Sequence, residues 1–349
     1  MAAAEFNCEP LHLPIRESQD MTTLSPEPIV QLAGGFMAAK HLFVANEIGL
    51  FDKLAAGPAS LDELAEFTGV ARPRVRILAD ALVVLGLIER HDDRYRNGPV
   101  AAAFLSGDGP TDLRPFLRFW NHIAYPMWMN LEPAIRTGQA QGTLALSGER
   151  QRIFSEGVEA IQALPATALP TAYDFSRHRR VLDLGGGTGS WLIRLLGAYP
   201  SLEATLFELP NAAAVARERL AGDPCGPRVE VLAGNFFTES IPAGHDAVLI
   251  ANVLHLLSPE RNLDLLRRIR ARVSDGTRLL LADFWTDPTH TDPPFAALMA
   301  AEFFVITGEG DVYSEEEASL WLRETGWRTV ERKPLAGAVS LLVAEAAER

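Results

Sequence analysis

Cysteine is almost missing from this chain: of 349 residues only Cys8 and Cys225 are thiols, one in the N-terminal tail and one in a Pro/Gly-rich loop. Neither a disulfide framework nor a thiolate metal cluster can be assembled from two such residues, so no metal is expected and a reducing cytoplasm fits. Positive charge is also short. Lys and Arg number 32 against 45 Asp and Glu, a formal net charge of −13, so a phosphate backbone or an anionic lipid surface would be repelled at long range. Nucleic acid and membrane are not expected partners. The basic start and apolar run of a signal peptide are absent from Met1 to Asp20, which carries Glu5, Glu9, Arg16, Glu17 and Asp20 and reads as a disordered tail, residues 1–20. A long unbroken apolar run is lacking too. Pro28 to Leu54 is interrupted by Gln31, Lys40, His41, Glu47 and Asp52, which favours a buried helix over a bilayer span.

What is present is ample core material, 48% hydrophobic residues with 22% charged, in a chain longer than the ~100–200 residues usual for one domain. Between Ser60 and Gly98 a Ser cap, a short helix, a Gly turn, a second apolar helix and an Asp-Asp turn form a winged-helix pattern, assigned to residues 21–110. Arg72, Arg74 and Arg76 would suit DNA, but the surrounding acidic charge favours a packing or dimerisation module. The apolar surface of Pro28–Leu54 exceeds what so small a unit can cover, which predicts a homodimer through the N-terminal helices. Residues 111–170 read as a helical linker rich in aromatics. Trp120, Tyr125 and Trp128, with Phe303 further on, suit either a pocket for a planar substrate or a packed core. From 171 to 349 the pattern is α/β. Apolar runs at Val181–Leu184, Ala204–Phe207, Val229–Leu232, Ala247–Ile250 and Leu279–Asp283 alternate with amphipathic stretches, predicting a parallel sheet covered on both faces. Thr329–Pro334 and Val339–Ala344 around Gly337 predict an antiparallel hairpin closing the sheet edge.

The segment VLDLGGGTGS sets Gly185, Gly187 and Gly189 between a buried strand and a helix, a turn that lets backbone approach a ligand closely. A dinucleotide fingerprint starting at Gly185 would need glycine at Ser190, so a nicotinamide cofactor is disfavoured. Glu208 ends the next strand and stands beside the turn, where its carboxylate can accept from both ribose hydroxyls of an adenosine ligand.

With VLDLGGGTGS, FELPN, GNFF and NVLH in this order, the chain resembles the small-molecule O-methyltransferases that include plant caffeate-type and bacterial polyketide-tailoring enzymes, over nearly its whole length. The resemblance implies a Rossmann-like methyltransferase domain behind a winged-helix dimerisation domain, with S-adenosylmethionine as cofactor and a small aromatic, phenolic or polyketide-like substrate. It places Gly185 and Gly187 against the methionine portion of the cofactor, Glu208 with its neighbour Leu209 at the ribose, and Asn235 and Phe236 at the adenine. His255 would be the general base.

Departures from the family pattern are local. Leu256 follows the base where many relatives have aspartate, and Val312 of GDVYS stands where they carry another acid, leaving Asp283 as the orienter of His255. Asn235 replaces an aspartate and Ala251 a lysine of the plant members. Loss of the acids leaves room for an N- or C-methyltransferase or another use of the bound cofactor. A ligand-sensing winged-helix regulator is the third reading, and a gel shift would reveal it.

Overall fold

The computed structural model describes residues 25–348 apart from 108, 110 and 143–145, so the tail of residues 1–20 lies outside the described residues. The chain forms two compact units, one comprising Met1–Pro126 with Leu146–Ile161 and the other Met127–Ala145 with Gln162–Arg349. The aromatic-rich stretch 111–170 is thus divided between them.

In the N-terminal unit the sequence expectation of a buried helix over Pro28–Leu54 needs correction. Two helices form, Glu27–Glu47 and Leu50–Ala55, joined at Gly49 in a left-handed conformation. Only Phe43, Ala45 and Asn46 of the longer helix are buried, while Ile29, Val30, Leu32, Phe36 and Met37 are exposed. Its apolar residues run around the helix, and the unit's core, built on Phe51, Leu64, Val75, Leu82, Ile88 and Tyr95, covers only the C-terminal half. By length and composition alone this helix could cross a bilayer.

Ser60 caps the helix Leu61–Thr68 through a reciprocal capping box with Glu63, and Gly69 ends it. The helix Arg72–Val84 follows, then a hairpin turned at Asp92. Strands β1 (Ala59–Ser60), β2 (Ile88–His91) and β3 (Arg94–Asn97) form a small sheet in the order β1-β3-β2. Arg72 and Arg76, two candidates for phosphate contact, instead pair with Asp62 and Asp80.

In the C-terminal unit β4 (Arg180–Leu184), β5 (Glu203–Glu208), β6 (Val229–Ala233), β7 (Ala247–Ala251) and β8 (Arg278–Phe284) run parallel, and β9 (Trp327–Ala336) and β10 (Val339–Ala346) form the expected antiparallel hairpin. The order is β6-β5-β4-β7-β8-β10-β9. Successive strand residues face opposite sides. Leu182 and Leu184 therefore join a cluster with Leu265, Leu266 and Ile269 of the helix Pro259–Arg270. Val181 joins one with Trp191, Leu192 and Leu195 of the helix Ser190–Ala198. Strand order reverses direction at β4, with β5 on one side and β7 on the other, and the crevice at the C-terminal ends of such strands is where α/β sheets bind ligands.

Candidate active site

β4 runs into the glycine turn. Gly187 adopts φ +58°, and a Cβ there would meet no heavy atom within 4 Å, so the turn presents bare backbone on an open side. At Gly186 a Cβ would stand 2.1 Å from Asp183 Oδ2, so only glycine fits above that carboxyl. The Gly187 N–H donates to Glu208 Oε2 at 2.9 Å and the Leu209 N–H to Oε1 at 2.6 Å. Each oxygen keeps capacity for one further donor. Burial pushes the Glu208 carboxyl above its usual range, and these two backbone bonds oppose the shift. Phe236 approaches the same turn: its ring is 3.7 Å from where a Gly185 Cβ would be. The structure thus brings Gly185, Gly187, Glu208 and Phe236 together, with Leu209 contributing backbone.

Asn235 has one lone pair of its side-chain oxygen engaged within the protein and one left over. Its Oδ1 accepts from the Phe237 N–H at 2.9 Å while its own N–H donates to Glu239 at 3.0 Å, so the side chain shapes the turn after β6.

His255 follows β7 on the short turn Leu254–Leu256, and Asp283 lies near the end of β8. The His255 Nδ1 is 2.5 Å from Asp283 Oδ1, and both residues are buried, 5% and 2% exposed. Asp283 is itself fixed by the N–H groups of Phe284 and Leu254. With Nδ1–H directed at the carboxylate, the lone pair stands on Nε2. The Phe303 ring stacks on the imidazole at 3.7 Å between centroids and 18° between planes. Two positions where the resemblance led to the expectation of acids are filled by packing: Val312 is buried against Phe303, and Leu256 lines the same cluster. One carboxylate, Asp283, accordingly holds the imidazole.

Trp128 belongs to this unit, its indole N–H donating to Glu302, which precedes Phe303 on the helix Pro294–Thr307. Trp120 and Tyr125 belong to the N-terminal unit. Trp120 packs edge-on to Phe116 and Tyr125 edge-on to Phe43, with the Lys40 ammonium 4.7 Å from the Tyr125 ring centre, and both flank that unit's core.

Three residues escape sequence reasoning. Asp183 is wholly buried beside Glu208 with neither oxygen partnered, and burial, then the Glu208 charge, pushes its pKa up to about 8. Asn252 holds φ +56° at the end of β7, its buried amide nitrogen lacking an acceptor. Glu302 is buried in an otherwise uncharged helix. Asp183 and Glu302 each carry a legible signal, an acid inside an apolar run. Among the described residues no group of three His, Cys, Asp or Glu side chains could hold a metal ion.

The family profile for an O-methyltransferase domain matches residues 136–328, and the profile for an O-methyltransferase dimerisation domain matches residues 30–107. The chain is 33% identical to 3-hydroxy-5-methyl-1-naphthoate 3-O-methyltransferase of Streptomyces sahachiroi, over 86% of this chain and 89% of that protein. It is 30% identical to the N,N-dimethyltransferase OxyT of Streptomyces rimosus, over 88% and 94%. Among solved structures, the S-adenosylmethionine-dependent methyltransferase SibL in its apo form superposes with a TM-score of 0.78 at 33% identity, covering 93% of this chain and all of that one.

Proposed function

The chain belongs to the S-adenosylmethionine-dependent O-methyltransferases that carry an N-terminal dimerisation domain, and from that premise we propose that it methylates a hydroxyl of a small aromatic molecule, with His255 as general base. The observation that carries this reading is the buried His255–Asp283 pair, His255 just after β7, the neighbour of the strand that bears the glycine turn, and Asp283 near the end of β8.

Bound S-adenosylmethionine supplies a methyl group on a cationic sulfur, already a good leaving group, so the protein's tasks are alignment and removal of one proton. No basic side chain pairs with Asp183 or Glu208 at the turn among the described residues, so no protein cation opposes the sulfonium there, and the buried Asn252 amide nitrogen keeps donors that suit a carboxylate rather than a cation. Gly185 and Gly187 would lie along the methionine portion, Glu208 and the Leu209 backbone at the ribose, and Phe236 with Asn235 at the adenine. Asn235 would enter this set through the lone pair that its Oδ1 keeps beyond the turn bond to Phe237.

His255 takes the hydroxyl proton at Nε2, and Asp283 keeps Nδ1–H oriented and stabilises the imidazolium that forms. Phe303 confines the ring, and with Trp128 it offers aromatic surface to a planar acceptor. No acceptor role is assigned to Trp120 and Tyr125, which complete the core of their own unit. The uncovered face of Glu27–Glu47, inside a matched dimerisation domain, supports a homodimer through the N-terminal helices. A nitrogen acceptor is the second reading, favoured by the likeness to an N,N-dimethyltransferase and by the apolar residues at 256 and 312.

The test follows product mass over a panel of naphthoate, flavonoid and anthracycline-like phenols. His255→Ala is expected to slow transfer about 10²–10⁴-fold while calorimetry shows unchanged affinity for S-adenosylhomocysteine. The deficit should narrow as pH approaches the phenol's own pKa of about 10, where the acceptor ionises unaided. An accepted phenol methylated equally fast by His255→Ala at neutral pH removes the base assignment.

A further inference from the structure

The helix Pro294–Thr307, PFAALMAAEFFVIT, carries one charged residue, Glu302, and buries it to 3% exposure. An acid in such a run demands a physical reason, because a buried carboxyl needs partners for both oxygens. One is supplied: the Trp128 indole N–H donates to Oε2. Oε1 is buried and has no partner. No Lys, Arg or His pairs with Glu302 among the described residues, and burial pushes the carboxyl up to about 7. This is not the signature of a structural ion pair. It is an acceptor held in place with one side unfilled, and the unmet oxygen carries the desolvation penalty of a buried polar atom.

Its surroundings indicate what fills that side. Glu302 is the residue before Phe303, whose ring lies on the imidazole of His255. Trp128, which fixes the first oxygen and thereby the direction of the second, comes from the segment 127–142. That segment docks on the same helix: the N–H groups of Gln141 and Gly142 donate to Val305 O at 2.9 and 3.0 Å, and a Cβ on Gly142 would strike the Met127 sulfur at 2.6 Å. The carboxyl is therefore oriented by packing from two sides, close along the helix to the ring that covers the base.

We propose that Glu302 selects the acceptor: its unpartnered oxygen receives a hydrogen bond from a second donor, a hydroxyl or N–H, carried by the aromatic substrate away from the oxygen that is methylated. The inference rests on the methyl-transfer reading above and adds to it a substrate class, aromatic molecules with two separated donors. Such a site discriminates strongly, because a substrate lacking the second donor leaves the carboxyl unmet and still desolvated. Trp128 is a positioning residue in this scheme, acting through Glu302.

The experiment compares a naphthol with the naphthalenediols bearing a second hydroxyl on the other ring, reading kcat/KM from product mass. The wild type should favour at least one diol by roughly tenfold to a hundredfold, the worth of one hydrogen bond to a charged group. Glu302→Leu, which replaces the carboxyl with a side chain suited to an apolar helix, should bring that ratio close to unity. Glu302→Gln leaves one acceptor oxygen, which the Trp128 indole N–H takes, and turns an NH2 donor toward the ligand, so it too should bring the ratio toward unity. Trp128→Phe should lower it while leaving the carboxyl in place. If Glu302 only anchors Trp128, Glu302→Leu slows every acceptor alike and the ratio stays at its wild-type value, which overturns the proposal. A wild type indifferent to all the diols overturns it too. Calorimetric binding of the same probes to the S-adenosylhomocysteine complex tests the same preference without turnover: a diol preference erased by Glu302→Leu supports the proposal, and no preference sinks it. Failure of the methyl-transfer reading looks different, as absence of methylated product from every probe.

Discussion

Both units expose apolar side chains and bury some unpartnered polar atoms, but the N-terminal one gathers exposed apolar chains along one helix, and among the described residues only the C-terminal one buries unpartnered carboxyl oxygens. The N-terminal one leaves apolar side chains in the open, with Ile29 73%, Phe36 56% and Val84 87% exposed. The C-terminal one leaves polar atoms in the interior: both oxygens of Asp183, the amide nitrogen of Asn252 and one oxygen of Glu302 are buried without partners. Exposed apolar surface is relieved by a large, non-directional covering, which another protein surface supplies. Buried polar atoms are relieved by a few donors at defined places, which a small molecule supplies. The kind of frustration therefore tells which class of partner each unit awaits.

Three experiments can break that contrast. The largest effect is expected in the first unit. The double substitution Ile29→Asp and Phe36→Asp puts charge on the uncovered helix face, and sedimentation velocity at micromolar concentration should move from twice the chain mass to the single chain. A wild type that already sediments as a single chain would show that this face joins no second copy. Next, Glu208→Ala should weaken S-adenosylhomocysteine roughly tenfold to a hundredfold by calorimetry, as loss of hydrogen bonds to a charged group predicts. Affinity equal to the wild type would dissociate Glu208 from the ribose.

The smallest effect concerns Asp183. Its folded-state pKa is raised to about 8, against about 3.9 in an unfolded chain, so the folded protein holds the extra proton. The stability this group contributes is complete below the unfolded value and is lost as pH climbs through the folded one. Asp183→Asn has no proton to lose. Its melting temperature should gain on the wild type by several degrees between about pH 4 and pH 8, in the absence of cofactor, and level off above that. A difference constant across that range would mean that Asp183 is not a neutral, unpaired acid.

Much of the C-terminal unit was legible in advance because a strand buried on both faces must be apolar throughout, and such runs have sharp ends. Val181–Leu184 and Ala247–Ile250 each lie within one residue of the observed strand bounds. The pairing of His255 with Asp283 was expected from the family resemblance, and the fold explains why the two can meet, since parallel strands deliver their C-terminal residues to one edge. Aromatic residues were less readable. Trp120 and Trp128 look alike in the sequence, yet one packs with Phe116 and the other serves a carboxyl. An aromatic ring carries the same local signature whichever surface it covers. Trp128 and Glu302 are 174 positions apart, so nothing local to either announces the pair. At Asn235 nothing local announced that the side-chain oxygen also caps its own turn, a second use for an atom with two lone pairs.

The terminal hairpin has a further bearing on how the molecule behaves in a crowded solution. Without β10 the strand that carries Asp283 would be a margin of the sheet, its backbone groups open to a stranger's strand. With the hairpin in place that margin passes to β9, whose sequence WRTVERKPLA sets Arg328, Glu331, Arg332, Lys333 and Pro334 along the rim. Charge and proline are the usual deterrents to edge-to-edge pairing. The strand holding the base's partner is thus removed from the frontier where sheets recruit one another, and the frontier itself is made inhospitable to aggregation.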